Sequence, residues 1–285
     1  MRAKTYGNKF KLKNNRPLYY RNNEADTVIV TVNNLNASSR FYVDYMVGLL
    51  KTEKAWELAL AFYGFVGETA QEQKWNWRDM RDLDDAFRLT FINDVKHTAS
   101  GIKGDGTGAS YNTGAVVDTH INPSLNVDSN YFSMAIYNNL PPSHNGSSVG
   151  VINNNFGRYE RNLWVNRSTL KIYYNKNKST TYNSGPAFAG LSFLYANASG
   201  LFMMNKNAKT PATQSNVGDG SDGYANGNIV LLNRSYYNDG TFAFYDYGTS
   251  EQMATTAFFD GEVSDAMAYQ ISRIITFSQK ILNRS

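Results

Sequence analysis

The chain has 285 residues, 42% of them hydrophobic and 18% charged, with a formal net charge of +4. That length fits one large β domain with extensions, or two small domains, and suffices to bury a substantial core. Absence of cysteine excludes disulfides, thiolate catalysis and Cys-based zinc sites. No apolar run approaches the ~20 residues of a membrane span, and the charged N-terminus lacks the apolar core of a secretory signal.

The basic character is uneven. Residues 1–22 carry Arg2, Lys4, Lys9, Lys11, Lys13, Arg16 and Arg21 and no acid, leaving 21 bases against 24 acids in the rest. Residues 1–26 therefore read as a basic arm that docks on an acidic partner surface. Nucleic acid is disfavoured as that partner, because no basic-aromatic motif recurs later. Thr27 to Leu35, TVIVTVNNL, alternates β-branched residues and predicts a strand. Asn36 to Ser39 caps a helix over 38–54, with Phe41, Tyr42, Tyr45, Met46, Leu49 and Leu50 as its apolar stripe. WELALAFYGF, from Trp56, predicts a buried strand. The charged stretch ETAQEQKWNWRDMRDLDDAF predicts a loop with a helical turn, and Ala86–Asp94 another strand.

From residue 130 on, strand candidates recur between Gly- and Asn-rich turns: 131–137, 148–153, 163–165, 169–174, 188–195, 200–205, 228–233, 241–246 and 252–259. Aromatics at 14%, with 20 Tyr and 16 Phe, suit pleated, half-buried surfaces. Many short strands and no long repeat predict a two-sheet sandwich. Phe258 and Phe259 lead into an Asp260-Gly261 turn. Ser264 then caps a terminal helix over 264–283, with Asp265 at the positive end of its dipole and Lys280, Asn283 and Arg284 at its close. Ala266, Tyr269, Ile271, Ile274, Ile275, Phe277, Ile281 and Leu282 form its expected apolar stripe.

This ending, with Gly261, Ser264, Asp265 and Ala266 in its turn, resembles the close of concanavalin-like, laminin-G-like jelly rolls in bacteriophage virion proteins. So do Tyr45 to Leu50 with Trp56, Leu58 and Tyr63, and the turn-strand Gly104 to Gly114, although Thr107-Gly108 departs from the tightest form of that turn. The resemblance spans roughly residues 38–284. It implies an antiparallel jelly-roll sandwich over 27–285 and a virion component: a head fibre, capsid decoration or tail appendage. The arm would join other virion proteins, and the jelly roll would project as a homo-oligomer, with a trimer favoured, towards host-surface glycans.

Candidate chemistry is sparse. His97, His120 and His144 are far apart, without triad or metal-ligand spacing. Asp82 and Asp85 would share a helix face, within the carboxylate spacing a glycanase pair needs. They are interleaved with Arg78, Arg81 and Arg88, and a salt-bridged loop is the better reading. Asp219 and Asp222 could supply two calcium ligands, but the full calcium-loop pattern is missing. Sugar contact calls for exposed aromatics beside polar groups, and Tyr224, Tyr236 and Tyr237 are the best candidates, with Trp75 and Trp77 in the charged loop. No cofactor or catalytic set is expected. The alternatives are a polysaccharide depolymerase or glycanase of the virion, and a secreted lectin.

Overall fold

The computed structural model describes residues 12–13, 16–17, 23–104, 114–128, 131–140, 146–153, 159–165, 170–174, 179–182, 189–205, 208–211, 227–232, 235–238, 241–244 and 251–284. Strands β1 (Leu12–Lys13) and β2 (Arg16–Pro17) pair with each other. Helices α1 (Asn23–Val32), α2 (Ala37–Thr52) and α3 (Ala55–Leu58) precede β3 (Ala59–Tyr63). Helix α4 (Ala70–Gln73) and a 3-10 turn (Asp84–Ala86) lead to β4 (Thr90–Ile92), β5 (Lys96–Thr98), β6 (Gly101–Lys103) and β7 (Val116–Asp118). After α5 (Pro123–Asn126) come β8 (Phe132–Leu140), β9 (Gly146–Asn153), β10 (Tyr159–Val165), β11 (Leu170–Tyr174) and β12 (Ser179–Tyr182). Then follow β13 (Gly190–Asn197), β14 (Gly200–Asn205), β15 (Ala208–Pro211), β16 (Val230–Leu231), β17 (Ser235–Asn238), β18 (Thr241–Phe244), β19 (Gln252–Asp260) and helix α6 (Asp265–Ile281).

The strands form two main sheets. The inner runs β15-β14-β13-β8-β19-β6-β5, with β3 also paired to β19; the outer runs β12-β11-β10-β9-β16-β7-β4, extended by β17 and β18. Among the described strands every pairing is antiparallel except β17 on β9. The molecule is thus mainly β, a two-sheet sandwich with a layer of helices added. One core lies between the sheets, where Phe132, Met134, Ile136 and Phe258 of the inner sheet meet Val117, Val149 and Leu231 of the outer. A second lies between the other face of the inner sheet (Ala135, Tyr137, Phe193, Phe259) and the helices, through Val28, Tyr42, Met46, Ile271 and Ile275.

The inner sheet is therefore covered on both faces, and the middles of β8, β13 and β19 are buried at every position. Their small polar residues find partners inside. Tyr42 and Thr255 share a hydroxyl hydrogen bond of 2.9 Å, and Gln279 Nε2 donates to Thr255 Oγ1 at 2.9 Å. Opposite Met253 and Thr255, the register of β19 against β8 skips Ala254, a bulge that turns that residue toward the helix layer as well.

Residues 27–35 depart from expectation. They do not form a strand: residues 23–32 form α1, so the boundary expected after Asp26 falls inside a helix. Ala25, Val28, Ile29 and Val32 are buried at three- and four-residue steps, while Val30 is 76% exposed. Packing at helical spacing has overridden β-branched propensity, aided by Glu24 and Asp26 in the first turn. The next helix is close to the expected one: Asn36 caps α2, its side chain accepting from Ser39 N at 2.8 Å. Ser264 likewise caps α6, accepting from Met267 N at 3.2 Å, and Tyr195 O–H donates to Asp265 at 2.8 Å. Helix α6 packs on β13, β14 and α2, and β2 lies alongside α2. The helix layer and the residue 16–17 segment are thus on one side of the inner sheet, and the outer sheet is on the other.

Candidate functional site

An open groove of about 450 Å³ lies between α2 and α6, lined by Tyr45, Leu49, Glu53, Gln270, Arg273, Ile274, Thr276, Phe277 and Lys280. Its walls follow from helix geometry. Ala268, Ile271, Ile275 and Gln279 of α6 are buried, so Tyr269, Arg273, Phe277 and Lys280, at steps of four, four and three, fall together on the opposite face. This corrects the expected apolar stripe, which included Tyr269 and Phe277: they are 44% and 53% exposed. Tyr45 bridges Phe41 and Phe277, with ring centroids 5.9 Å from each. The Arg273 guanidinium sits 5.7 Å from the Tyr269 centroid, and Lys280 Nζ 5.9 Å from that of Phe277. Among the described residues neither cation has a carboxylate partner, so their charge is carried by aromatic faces and water.

The acidic run is a salt-bridged loop, as its interleaving implied. Asp82 takes Lys74 at 2.6 Å and Arg88 at 3.0 Å, Arg88 also reaches Asp84 at 3.0 Å, and Arg81 holds Asp79 at 2.5 Å and Asp85 at 3.6 Å. The Lys74 ammonium holds Asp82, and the Arg81 guanidinium Asp79, below the usual carboxylate range. Asp82 and Asp85 are exposed beside these cations rather than facing each other across a cleft. Among the described residues no group of three His, Asp or Glu is placed to hold a metal. Asp219 and Asp222 lie outside the described residues.

Trp75 and Trp77 do not form a contact surface: both are buried. Trp77 packs 5.4 Å from the Phe62 ring and 5.8 Å from that of Tyr42, and its ring fills the space a Cβ on Gly64 would need. Tyr236 and Tyr237 stand in β17, paired with Ala243 and Phe242 of β18. Tyr224 and His144 lie outside the described residues, as do Arg2, Lys4, Lys9, Lys11 and Arg21. Of the arm's cations, Lys13 and Arg16 are register partners across β1 and β2.

The two described histidines serve the fold. His120 Nε2 is 2.9 Å from Thr90 Oγ1 and 3.5 Å from Asp84. His97 Nδ1–H donates to Gln73 Oε1 at 2.8 Å while Gln73 Nε2 donates to the Gly67 and Thr98 carbonyls, and Phe91 packs edge-on at 4.5 Å. Burial pushes the His97 imidazole below its usual value. The unfolded chain takes up this proton near pH 6.5 and the folded chain only at lower pH, so His97 contributes stability above pH 6.5 that is lost on acidification. The melting temperature is expected to fall between pH 7.5 and 5.5 more steeply for the wild type than for His97→Asn. Parallel curves would remove His97 as the cause.

No protein-family model matches the sequence, and no curated protein matches it. Among solved structures, a Trypanosoma rangeli sialidase in complex with 2,3-difluoro-KDN matches with a TM-score of 0.52 at 10% identity, covering 84% of this chain and 39% of that one. A mutant T. rangeli sialidase displaying trans-sialidase activity matches at 0.50 and 7% identity, with the same coverage. A botulinum neurotoxin serotype D binding domain is similar at 0.46 and 10%, covering 77% and 51%. The chain spans about two-fifths of the length of the sialidases it matches. At such identity the likeness is one of fold: a mainly-β sandwich.

Proposed function

We propose that this chain is a non-catalytic sandwich of the concanavalin-like, laminin-G-like jelly-roll type, built into a bacteriophage virion as a head fibre, capsid decoration or tail appendage. The virion context rests on the sequence resemblance. The observation that carries the anchoring role is the order of the layers. Residues 16–17 and the helices share one side of the inner sheet, and the outer sheet faces away. Such a molecule can be held on its helical side while its outer sheet meets host-surface glycans. The non-catalytic reading is supported by the acidic loop, whose carboxylates are engaged by Lys74, Arg81 and Arg88.

Deletion of residues 1–22 spares α1 and its buried contacts. The truncated protein is expected to stay folded and soluble, to form the same oligomer by light scattering, and to be missing from assembled particles. Normal incorporation would remove the docking role of the arm, and unfolding would make the arm part of the core. Glycan binding is read separately on an array of bacterial surface polysaccharides. Polysaccharide cleavage lost in Asp82→Asn or Asp85→Asn would favour a depolymerase instead.

A further inference from the structure

We propose that the groove between α2 and α6 is a docking site for an amphipathic, acidic helical segment of a partner protein. The inference deepens the anchoring half of the function proposed above and rests on it, while identifying a second contact of known chemistry. Two packed helices leave between them a furrow shaped for a third, and here the furrow is open and half apolar, with Leu49, Ile274, Tyr45 and Phe277 along it. Phe277 is 53% exposed on a helix whose other face is fully packed. An exposed aromatic of this kind is the usual anchor of a helix-in-groove contact.

Charge decides the occupant. Arg273 and Lys280 line the groove without carboxylate partners, and Glu53 is the single acid among its lining residues. A second copy of this chain fits poorly, because two-fold pairing of α6 faces sets Arg273 and Lys280 against the same two cations. The acidic loop of another copy is already neutralised by its own bases. The N-terminal segment, with seven cations and no acid, is repelled from the groove for the same reason. Of that segment, β2 lies alongside α2. A partner with apolar residues on one helix face and Asp or Glu flanking them satisfies both groove walls. Its carboxylates would meet Arg273 and Lys280, and its apolar face would cover Phe277 and Tyr45.

The test uses the full chain and two synthetic 18-residue helical peptides with the same Leu/Phe face, one flanked by Glu and one by Lys. Titration is followed by backbone amide NMR shifts. The Glu peptide is expected to bind saturably, shifting amides of α2 and α6, and the Lys peptide at least about tenfold more weakly. The double variant Arg273→Glu/Lys280→Glu is expected to reverse the preference, and Phe277→Ala to weaken the Glu peptide about tenfold. Unchanged circular dichroism and melting temperature confirm that these surface variants fold. Equal binding of both peptides, shifts elsewhere, or equal binding of apolar-free poly-Glu overturns the proposal. So does a dimer in light scattering that Phe277→Ala dissolves, because the occupant is then a second copy. The titration needs no particle, so failure here is distinguishable from failure of the arm deletion.

Discussion

Replacing Phe258 with Ala and replacing Phe259 with Ala are each expected to cost about 3–5 kcal/mol, a range typical of fully buried aromatics. Neighbours on a strand point to opposite faces, so in an ordinary half-exposed sheet one of such a pair is tolerant. Here neither is. Phe258 stacks on Phe132 at 6.0 Å and meets Tyr63 edge-on at 6.4 Å in the core between the sheets. Phe259 lies against Phe193 at 5.7 Å in the core beneath the helices. Both side chains are wholly inaccessible. Urea unfolding of the two variants measures the prediction. If one of them loses less than about 1 kcal/mol, the face it occupies is not a packed core, and the three-layer arrangement fails on that side. Loss at Phe259 would also loosen α6 and with it one wall of the groove, so this variant is expected to weaken the Glu peptide as well, whereas Phe258→Ala is not.

The same double burial explains what was legible in the sequence. Strands at 200–205 and 252–260 and the two capped helices are plain, because alternation, aromatics and caps are local signals. Helix α1 is not legible in the sequence because its Val, Ile and Thr favour strands locally, while the decisive fact, burial of Ala25, Val28, Ile29 and Val32 against α2, is tertiary. The period was nevertheless present: an alternating strand would bury Val30 along with Val28 and Val32, and Val30 is the exposed one. Short strands such as β5, β6 and β7 carry three residues each, too few for any period to register. For the candidate site, Tyr269, Arg273, Phe277 and Lys280 were visible as residues but were sorted by polarity. Polarity places Phe277 and Tyr269 on the apolar stripe and Lys280 at the helix end, which splits one exposed face into two categories. Trp75 and Trp77 failed in the opposite direction: a charged neighbourhood concealed two core side chains whose surroundings come from Phe62, Tyr42 and Gly64.

Arg284→Ala is expected to destabilise the protein by about 3–5 kcal/mol, the range for breaking a buried charged network. Read from sequence, Arg284 is a cation at a helix C-terminus, worth about 0.3–1 kcal/mol through the dipole. In the fold it is 5% exposed and reaches away from its own helix. Asn283, at a φ of 55° in the left-handed region, turns the chain. The guanidinium then donates to Ala99 O at 2.6 and 2.9 Å, Phe65 O at 2.7 Å, Gly64 O at 3.2 Å and Ala254 O at 3.3 Å. The last of these is the carbonyl of the β19 bulge. Among the described residues no carboxylate is within ion-pair distance, and burial lowers the guanidinium below its usual range, yet a planar five-donor group stays charged. Its removal strands four carbonyls away from water, each worth about 1–3 kcal/mol if left unmade, with some recovered by solvent entry. Arg284→Lys keeps the charge but has three donors and no fork, so an intermediate loss is expected. Equal stability of wild type and Arg284→Ala in urea would mean that water replaces the guanidinium at no cost. The dipole reading would then suffice. The latch also fixes where α6 ends on the sheet, and Lys280 stands one turn before it. Arg284→Ala is therefore expected to weaken the Glu peptide through Lys280 while leaving residues 1–22 competent to dock.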